Sequence, residues 1–499
     1  MSWDLIFEHL FIVISAGILS VITGLALGIL ACLFPKIKPV ILWMADLLQT
    51  IPSLALLGIL MVLLSPGKLI VILGITLYSL LPIVRNTCLG LEEVDAGVKE
   101  AARGMGMGQY YRLFVIELPL AFPTIFTGIR IAVVNTIGTA VFAAFVGGGG
   151  LGSVITQGIR ISDMKMILTA TAVLMVIAAV LDFLMSCFEN KMRRSADIRK
   201  MAVLSAAVLL TVFCLLLPYG KNETGDIMLY DGDYSETQLM HHMAKMLIED
   251  QTELEVIIQD QMSQVNNFRA MQNPDFPCDL MISYDGTLLT TFFHQDTKDV
   301  PVEMSIYDYV SQVAEKKYQM KLLKKLGFDN TYAVAVPEKT ADEYNLETVS
   351  DLIPIADRLT FGAEQGFFTM EGSMKYKPFT EFYGLKFKDA VSVDLGLKYT
   401  AIENGSVDVT VVYATDGLNR KTGLKILEDD KKFFPDYNGA FLVCQDTLKK
   451  YPEIEPVLDQ LAGKITTEQM AELTYQVDVL GNSVDDTARK FLRDRKLIK

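Results

Sequence analysis

The sequence has few of the residues that metal sites and enzyme centres require. Among 499 residues there are four histidines, six cysteines and two tryptophans. No CxxC or HExxH pattern occurs, so we expect no metal site. No G-x-x-x-x-G-K-[ST] sequence occurs either, which excludes a phosphate-binding loop of that kind. The histidines form no triad with a recognisable nucleophile, so the chain is not expected to be an enzyme.

The cysteines give little evidence of a disulfide framework. Four of them lie in or beside apolar segments, where cysteine behaves as a small hydrophobic residue. Cys278 and Cys444 could pair if their part of the chain lies outside the cell. No close spacing supports that pairing, so free thiols are the favoured prediction.

Charge divides the chain near residue 217. Twelve acidic and 15 basic residues precede position 218, whereas 47 acidic and 30 basic residues follow it. The acidic half lacks the clustered cations that bind phosphate groups, so no nucleic-acid partner is expected. The length and this asymmetry together predict two or three domains.

The first half contains six apolar stretches, at roughly 10–34, 40–64, 69–84, 121–146, 166–187 and 201–217. About 20 apolar residues cross the hydrocarbon core of a membrane, so we predict six spans, of which the third and sixth are the shortest. Lysine and arginine concentrate in alternate loops, which places those loops in the cytoplasm and the N-terminus outside the cell. The chain is thus predicted to be a multi-pass plasma-membrane protein with its acidic half extracellular.

Several features of this half leave alternatives open. The stretch 201–217 is either a retained span or the core of a signal peptide, and the lack of a small-x-small pattern after it favours the span. Pro52 is expected to kink or break the second helix. Asp46 and Arg130 lie within spans and either pair or extend separately towards water. Gly147 to Gly150 form either a gate or a turn.

The long cytoplasmic loop carries a spaced motif. Glu100-Ala101-Ala102 is followed after three residues by Gly106, and nine residues later by Ile116-Glu117-Leu118-Pro119. This matches the EAA–x3–G–x9–I–x–LP signature in every fixed position, and the region resembles the permeases of ABC importers. A chance Ala-Ala pair in an ordinary loop is the alternative, which the complete spacing disfavours.

The resemblance implies two short helices that dock into a groove on a separate ATPase subunit. The alanines allow close helix approach, and glycine permits a sharp backbone bend. Since this chain has no phosphate-binding loop, ATP-Mg would be used by the partner ATPase, and no cofactor is expected on this chain. The residues implied in coupling are Glu100, Ala101, Ala102, Gly106, Ile116, Leu118 and Pro119.

The second half has the pattern of an α/β fold. Strands are predicted at 226–230, 278–283, 332–336 and 407–412, and a helix at 236–249. Alternating elements of this kind form α/β layers. About 280 residues suffice for two lobes with a ligand cleft between them.

Several segments of this half resemble the substrate-binding domains of importers for glycine betaine, carnitine and choline. The resemblance covers nearly all of 226–494 and rests on the segments 284–287, 327–334, 382–385, 413–417 and 428–437. Segments 49–56 and 147–152 resemble permeases of the same branch. The implied architecture is a helical permease of the type I ABC-importer fold at 1–200, with a coupling loop at 90–119. A sixth span and short linker follow at 201–225, and a two-lobed periplasmic-binding-protein-like domain at 226–499.

The resemblance also implies a ligand with a quaternary ammonium. A trimethylammonium group has no N–H donor, so aromatic faces recognise it through their quadrupoles. The resemblance assigns that role to Tyr284, Tyr307, Tyr332 and Tyr413, although Tyr309 could replace Tyr307. The polar and further candidates are Thr287, Asn330, Asp416, Tyr234, Phe367 and Tyr437.

One departure from the family pattern bears on the ligand. Many relatives have an arginine in the segment that corresponds to Gly366–Gly372, and this segment has none. An arginine there is suited to bind a carboxylate, so its loss favours a ligand such as choline, unless backbone N–H groups substitute. Glycine betaine and carnitine stay possible, and ergothioneine is the alternative cargo. A permease homodimer is expected, and a membrane-anchored sensor without transport is the second alternative.

Overall fold

The computed structural model describes residues 3–64, 67–160, 163–194, 210–218, 225–273, 278–369, 374–393 and 397–499. The chain divides into two compact units. One consists of Met1–Thr156 and Lys165–Asn222, and the other of Gln157–Met164 and Glu223–Lys499.

The first unit is helical. Its helices are α1 (Trp3–Leu33), α2 (Lys38–Thr50), α3 (Ser53–Leu63), α4 (Lys68–Tyr78), α5 (Leu80–Glu92), α6 (Ala96–Gly104), α7 (Gln109–Arg112), α8 (Leu118–Thr139), α9 (Leu151–Arg160), α10 (Met164–Arg194) and α11 (residues 210–218). A π-helical segment, Leu113–Glu117, joins α7 to α8, and a 3-10 segment, Ala140–Val146, extends α8.

Four helical stretches among the described residues are long and apolar enough to cross a membrane. They are Trp3–Leu33, Lys68–Glu92, Gln109–Val146 and Met164–Lys191. A fifth candidate is the pair α2–α3, which is bent by 96°. Pro52 lies at this bend, as predicted, because proline cannot donate a helical hydrogen bond. The predicted sixth span at 201–217 lies mostly outside the described residues.

Of the two alternatives for Asp46 and Arg130, pairing with each other is wrong. Arg130 lies 2.7 Å from Asp182 and 3.3 Å from Glu189, and both acids are on α10. Asp46 instead lies 2.7 Å from Arg85 on α5. Charges in apolar spans need a partner, and each of these finds one on another helix. The sequence reasoning overlooked Asp182 as a partner.

The glycine run forms a tethered turn. Gly147, Gly149 and Gly150 have φ values of 72°, 64° and 77°, in the left-handed region that favours glycine. The N–H of Gly150 donates to the Glu8 carboxylate at 2.7 Å, and Glu8 lies 2.7 Å from Lys68. These bonds connect the turn to α1 and to the start of α4.

The second unit alternates strands and helices. Its strands are β1 (Ile227–Gly232), β2 (Val256–Met262), β3 (Leu280–Tyr284), β4 (Met320–Leu322), β5 (Tyr332–Pro337), β6 (Thr360–Ala363), β7 (Asp389–Ser392), β8 (Val409–Tyr413), β9 (Leu424–Leu427) and β10 (Gly439–Cys444). Its helices are α12 (Ser235–Gln251), α13 (Gln264–Met271), α14 (Asp285–Thr287), α15 (Ile306–Tyr318), α16 (Glu338–Tyr344), α17 (Gln365–Thr369), α18 (Tyr376–Tyr383), α19 (Lys398–Glu403), α20 (Leu418–Lys421), α21 (Gln445–Lys450), α22 (Ile454–Leu458), α23 (Thr467–Asp478) and α24 (Val484–Asp494).

The strands belong to two lobes, as the sequence predicted. The first lobe contains the parallel pair β1–β2 and the antiparallel sheet β3-β10-β4. The second lobe contains the mixed sheet β7-β6-β8-β5-β9. Separate apolar cores, built around Leu229 and Phe328 in one lobe and Phe361 and Val411 in the other, stabilise them. The chain crosses between the lobes twice, before β5 and before β10.

Cys278 and Cys444 are free thiols in the first lobe. Residues flanking them pair across β3 and β10, which brings the Cys444 sulfur within 3.5 Å of the Cys278 carbonyl oxygen.

Candidate functional site

A cleft lies beside the two chain crossings that join the lobes. The crossings are bonded to each other: the N–H of Asn330 donates to the Tyr437 carbonyl at 3.0 Å, and the N–H of Tyr437 donates to the Asp329 carboxylate at 2.6 Å. The cavity in the cleft has a volume of about 230 Å³. That is smaller than the roughly 300–1,000 Å³ of sites for drug-sized ligands, so it suits a small metabolite.

Six tyrosines line this cavity, and four of them form what we call the tyrosine cluster: Tyr284, Tyr332, Tyr413 and Tyr437. Tyr332 begins β5 and Tyr413 ends β8. Because they are direct cross-strand partners, their rings stack at a centroid distance of 5.2 Å. Tyr284 ends β3 and stacks on Tyr437 of the second crossing at 6.0 Å. The cluster therefore contains residues from both lobes and from one of the two crossings.

Most polar candidates also line the cavity. Thr287 donates to the Tyr437 hydroxyl at 3.1 Å, and Asn330 accepts from the Thr415 hydroxyl at 2.8 Å. Altogether the structure brings together eight of the ten predicted residues: Tyr234, Tyr284, Thr287, Asn330, Tyr332, Tyr413, Asp416 and Tyr437.

Tyr307 and Phe367 are not among the described residues that line the cavity. The hydroxyl of Tyr307, on α15, donates to the Leu323 carbonyl, and the Lys325 ammonium lies 4.9 Å from its ring. Phe367 is fully buried in the core of the second lobe, with its ring edge-on to Tyr332 at 5.7 Å. Phe367 therefore supports a cluster tyrosine from behind. Tyr309, the alternative to Tyr307, is also absent from the lining.

Several lining residues were not predicted, among them Glu236, Lys398, Tyr399, Thr474 and Asp478. One signal could have found Glu236, since it follows the end of β1. In α/β folds, ligands bind beyond the carboxyl ends of strands. No comparable signal marks Lys398, which lies on α19 before β8.

Glu236 is a buried carboxylate at the heart of the cleft. It accepts from the Tyr284 hydroxyl and, at 3.0 Å, from the Asn330 side chain. Burial raises its pKa to about 7, the nearby Asp416 carboxylate adds to the rise, and hydrogen bonds from Thr415, Tyr284 and Asn330 oppose it. Burial likewise raises the pKa of the Tyr284 hydroxyl well above its usual value.

The lobes also touch at one edge of the cleft. The N–H of Gly417, in the second lobe, donates to the Thr474 hydroxyl at 3.0 Å, and this hydroxyl donates to the Thr415 carbonyl at 2.8 Å. Arg420 of the second lobe lies 2.8 Å from Glu472 of the first. These contacts hold the 415–420 segment against α23.

The predicted coupling segment forms two short helices, α6 and α7. Gly106 turns between them with φ of 78°. Ala102 is fully buried, whereas the segment exposes large apolar side chains at Met105 (67%), Tyr110 (64%), Tyr111 (60%) and Phe114 (54%). An apolar surface of this kind is typical of a protein interface.

No group of three or more potential metal ligands is assembled within the part of the chain that the structure describes.

Comparison with known families gives two matches. Residues 21–194 match the family described as the inner membrane component of binding-protein-dependent transport systems. Residues 225–494 match the substrate binding domain of an ABC-type glycine betaine transport system.

Individual relatives cover the whole chain or one half of it. An ergothioneine transport permease/ergothioneine binding protein of Helicobacter pylori is 30% identical over 96% of this chain and 87% of its own length. A carnitine transport binding protein of Listeria monocytogenes is 34% identical over 56% of this chain and 90% of its own length. A solved glycine betaine/carnitine/choline ABC transporter structure is 30% identical, covers 55% of this chain and 100% of its own, and has a TM-score of 0.48.

Proposed function

Because the chain belongs to the family of ABC importer subunits in which a permease is fused to a glycine betaine-type substrate-binding domain, we propose that its cargo is a small quaternary-ammonium compound held by the tyrosine cluster. The meeting of four tyrosine rings at one cavity carries this proposal. Each ring face attracts a cation by on the order of 0.5–2 kcal/mol. Glycine betaine, carnitine and choline are the first candidates.

Ergothioneine is the second candidate. It is also a trimethylammonium betaine, and the relative that matches this chain along both halves is named for it. The match to a fused permease and binding protein with that name is the observation that favours ergothioneine.

Calorimetry on the purified full chain in nanodiscs tests the ligand class. At least one of choline, glycine betaine, carnitine and ergothioneine is expected to bind, because all four carry the trimethylammonium group that aromatic faces attract. Tyr413→Leu should abolish the binding, whereas Tyr309→Leu, outside the cavity lining, should leave it intact. Failure of all four compounds to bind would reject the ligand class.

Binding should also depend on the protonation of Glu236. A bound cation favours the carboxylate, and the pKa of Glu236 in the folded protein is about 7. Affinity is therefore expected to rise with pH, by up to about tenfold per unit between about pH 5 and 7, and to level off above. Titrations of the full chain across this range measure it.

Two variants test whether Glu236, rather than another titrating group, causes the pH dependence of affinity. Glu236→Gln should flatten the pH profile, because it removes the titrating group beside Tyr284 and Asn330. Glu253→Gln alters an exposed acid and should keep the wild-type slope. An unchanged slope in Glu236→Gln would assign the pH dependence elsewhere.

For the permease half, we propose a homodimer with the binding domains outside the cell and an ATPase dimer on the cytoplasmic face. The exposed apolar side chains of α6 and α7 support docking of the ATPase there. ATP-Mg is bound and hydrolysed by that partner ATPase. Ligand closes the lobes, the closed domain delivers it to the permease, and the ATPase drives alternating access.

A further inference from the structure

Lys398 is a buried cation in the wall of the cleft. It begins α19, lines the cavity and is 3% exposed. Its ammonium lies 5.0 Å from the ring centroid of Tyr413 and 5.2 Å from that of Tyr399. Lysine is almost never fully buried unless its charge has a partner. The position of this one, against a member of the tyrosine cluster, therefore requires an explanation.

The ammonium has unused donors. Within the described part of the chain its one hydrogen bond goes to the Val411 carbonyl, at a long 3.3 Å. An ammonium has three N–H donors. No carboxylate of the described residues lies within ion-pair distance of it. Because an unpaired buried charge is costly, the site favours an anion supplied from outside the chain.

Asp416 and Glu364, the two acids whose charges act on Lys398, are hydrogen-bonded to other groups, although one Glu364 oxygen, Oε2, is buried without a hydrogen-bond partner among the described residues. Asp416 accepts from the Tyr399 hydroxyl and, at 2.9 Å, from the N–H of Leu418. Glu364 accepts from the Tyr332 hydroxyl at 3.2 Å. Burial lowers the pKa of Lys398, and these two acids only partly oppose that effect. A bound carboxylate would stabilise the charged ammonium directly.

We propose that Lys398 is the anion-binding residue of the cleft, so that the cargo carries a carboxylate as well as a quaternary ammonium. This proposal rests on the proposed function and narrows its class of cargo from quaternary-ammonium compounds in general to zwitterions. The segment Gly366–Gly372 contains no lysine or arginine, and α19 supplies a lysine from another part of the second lobe. Choline, which lacks a carboxylate, becomes a poor cargo, contrary to the expectation from the sequence.

The charges of the cleft fit a zwitterion. Glu236 comes from the first lobe and Lys398 from the second, and Lys398 is the only lysine or arginine among the described lining residues. A zwitterion can place its ammonium near the tyrosines and Glu236 and its carboxylate on Lys398. A ligand that binds groups on both lobes favours the closed form, because it gains both contacts only there.

Calorimetry with matched ligands tests the role of Lys398 on the full chain in nanodiscs. Carnitine carries a carboxylate that is a neutral ester in its methyl ester, and glycine betaine carries a carboxylate where choline has a hydroxyl. In each pair of ligands of which at least one binds, the wild type is expected to bind the zwitterion at least tenfold more tightly than the compound without a carboxylate. Lys398→Met keeps the length of the side chain without its charge, and should reduce this ratio to about one.

Each outcome has a separate meaning. If Lys398 only supports the packing of Tyr413, Lys398→Met weakens both ligands of a pair equally and the ratio persists, which overturns the proposal. Lys398→Arg keeps the charge and should retain a preference for the zwitterion. Equal binding of both members of each pair by the wild type overturns the proposal whatever the variants do. Absence of binding by all trimethylammonium compounds would instead overturn the proposed function.

Discussion

Gly417→Ala is expected to weaken ligand binding roughly 10- to 100-fold while both lobes stay folded. An added Cβ would lie 2.3 Å from the backbone nitrogen of Tyr475 and 2.5 Å from its Cα, on α23 of the other lobe. Gly417 itself has φ of −62° and ψ of −20°, which alanine adopts without strain. The clash therefore opposes lobe closure. Overpacking of this kind costs about 1–3 kcal/mol, which gives the stated loss of affinity.

The measurement combines calorimetry with hydrogen exchange on the full chain. Amides of β5 and β8 in the second lobe, and of β3 and β10 in the first, should keep their wild-type protection in Gly417→Ala. Lys421→Ala, at an exposed position on α20, the short helix that follows Gly417, is the control and should bind normally. Lost protection in both lobes would mean that the contact with α23 is part of the folded core. Unchanged affinity would mean that closure does not need it.

Much of the cleft was predictable because its residues lie in local motifs. Tyr284 and Tyr413 end strands and Tyr332 begins one, and the apolar residues of each strand predict it. The crossings add Asn330 and Tyr437 beside them. Tyr307 was assigned by the same resemblance, but α15 packs it towards Leu323. A motif predicts where a residue lies along the chain and in which element. The direction of its side chain depends on how that helix packs.

The charged groups were less predictable, because their partners are distant in sequence. Glu236 is at the start of a helix, where an acid normally faces solvent, yet Asn330, 94 positions later, covers it. Arg130 pairs with Asp182 rather than with Asp46, a choice set by which helices are neighbours. Lys398 has no motif at all. In each case tertiary packing decides whether a charge is buried, and a single sequence does not contain that information.

The second large effect is expected at the coupling segment, where Gly106→Val should reduce uptake roughly tenfold without changing ligand affinity. Gly106 has φ of 78° and ends the turn after α6, with its N–H on the Arg103 carbonyl at 2.9 Å. A left-handed conformation costs an L-residue roughly 1–2 kcal/mol, and a β-branched one is especially disfavoured. The turn should therefore change conformation, and Met105 and Tyr110 should leave the positions from which they are proposed to contact the ATPase.

Two measurements test this expectation separately. Uptake into proteoliposomes that contain the partner ATPase measures transport, and calorimetry without the ATPase measures ligand affinity. Gly104→Val is the matched control, since Gly104 has an ordinary φ and an added Cβ there has open space within 4 Å. It should transport at close to the wild-type rate. If Gly106→Val transports normally, the turn does not set the docking geometry. If it loses ligand affinity as well, the defect lies in folding rather than in coupling, because the cleft is built entirely from residues 234–478.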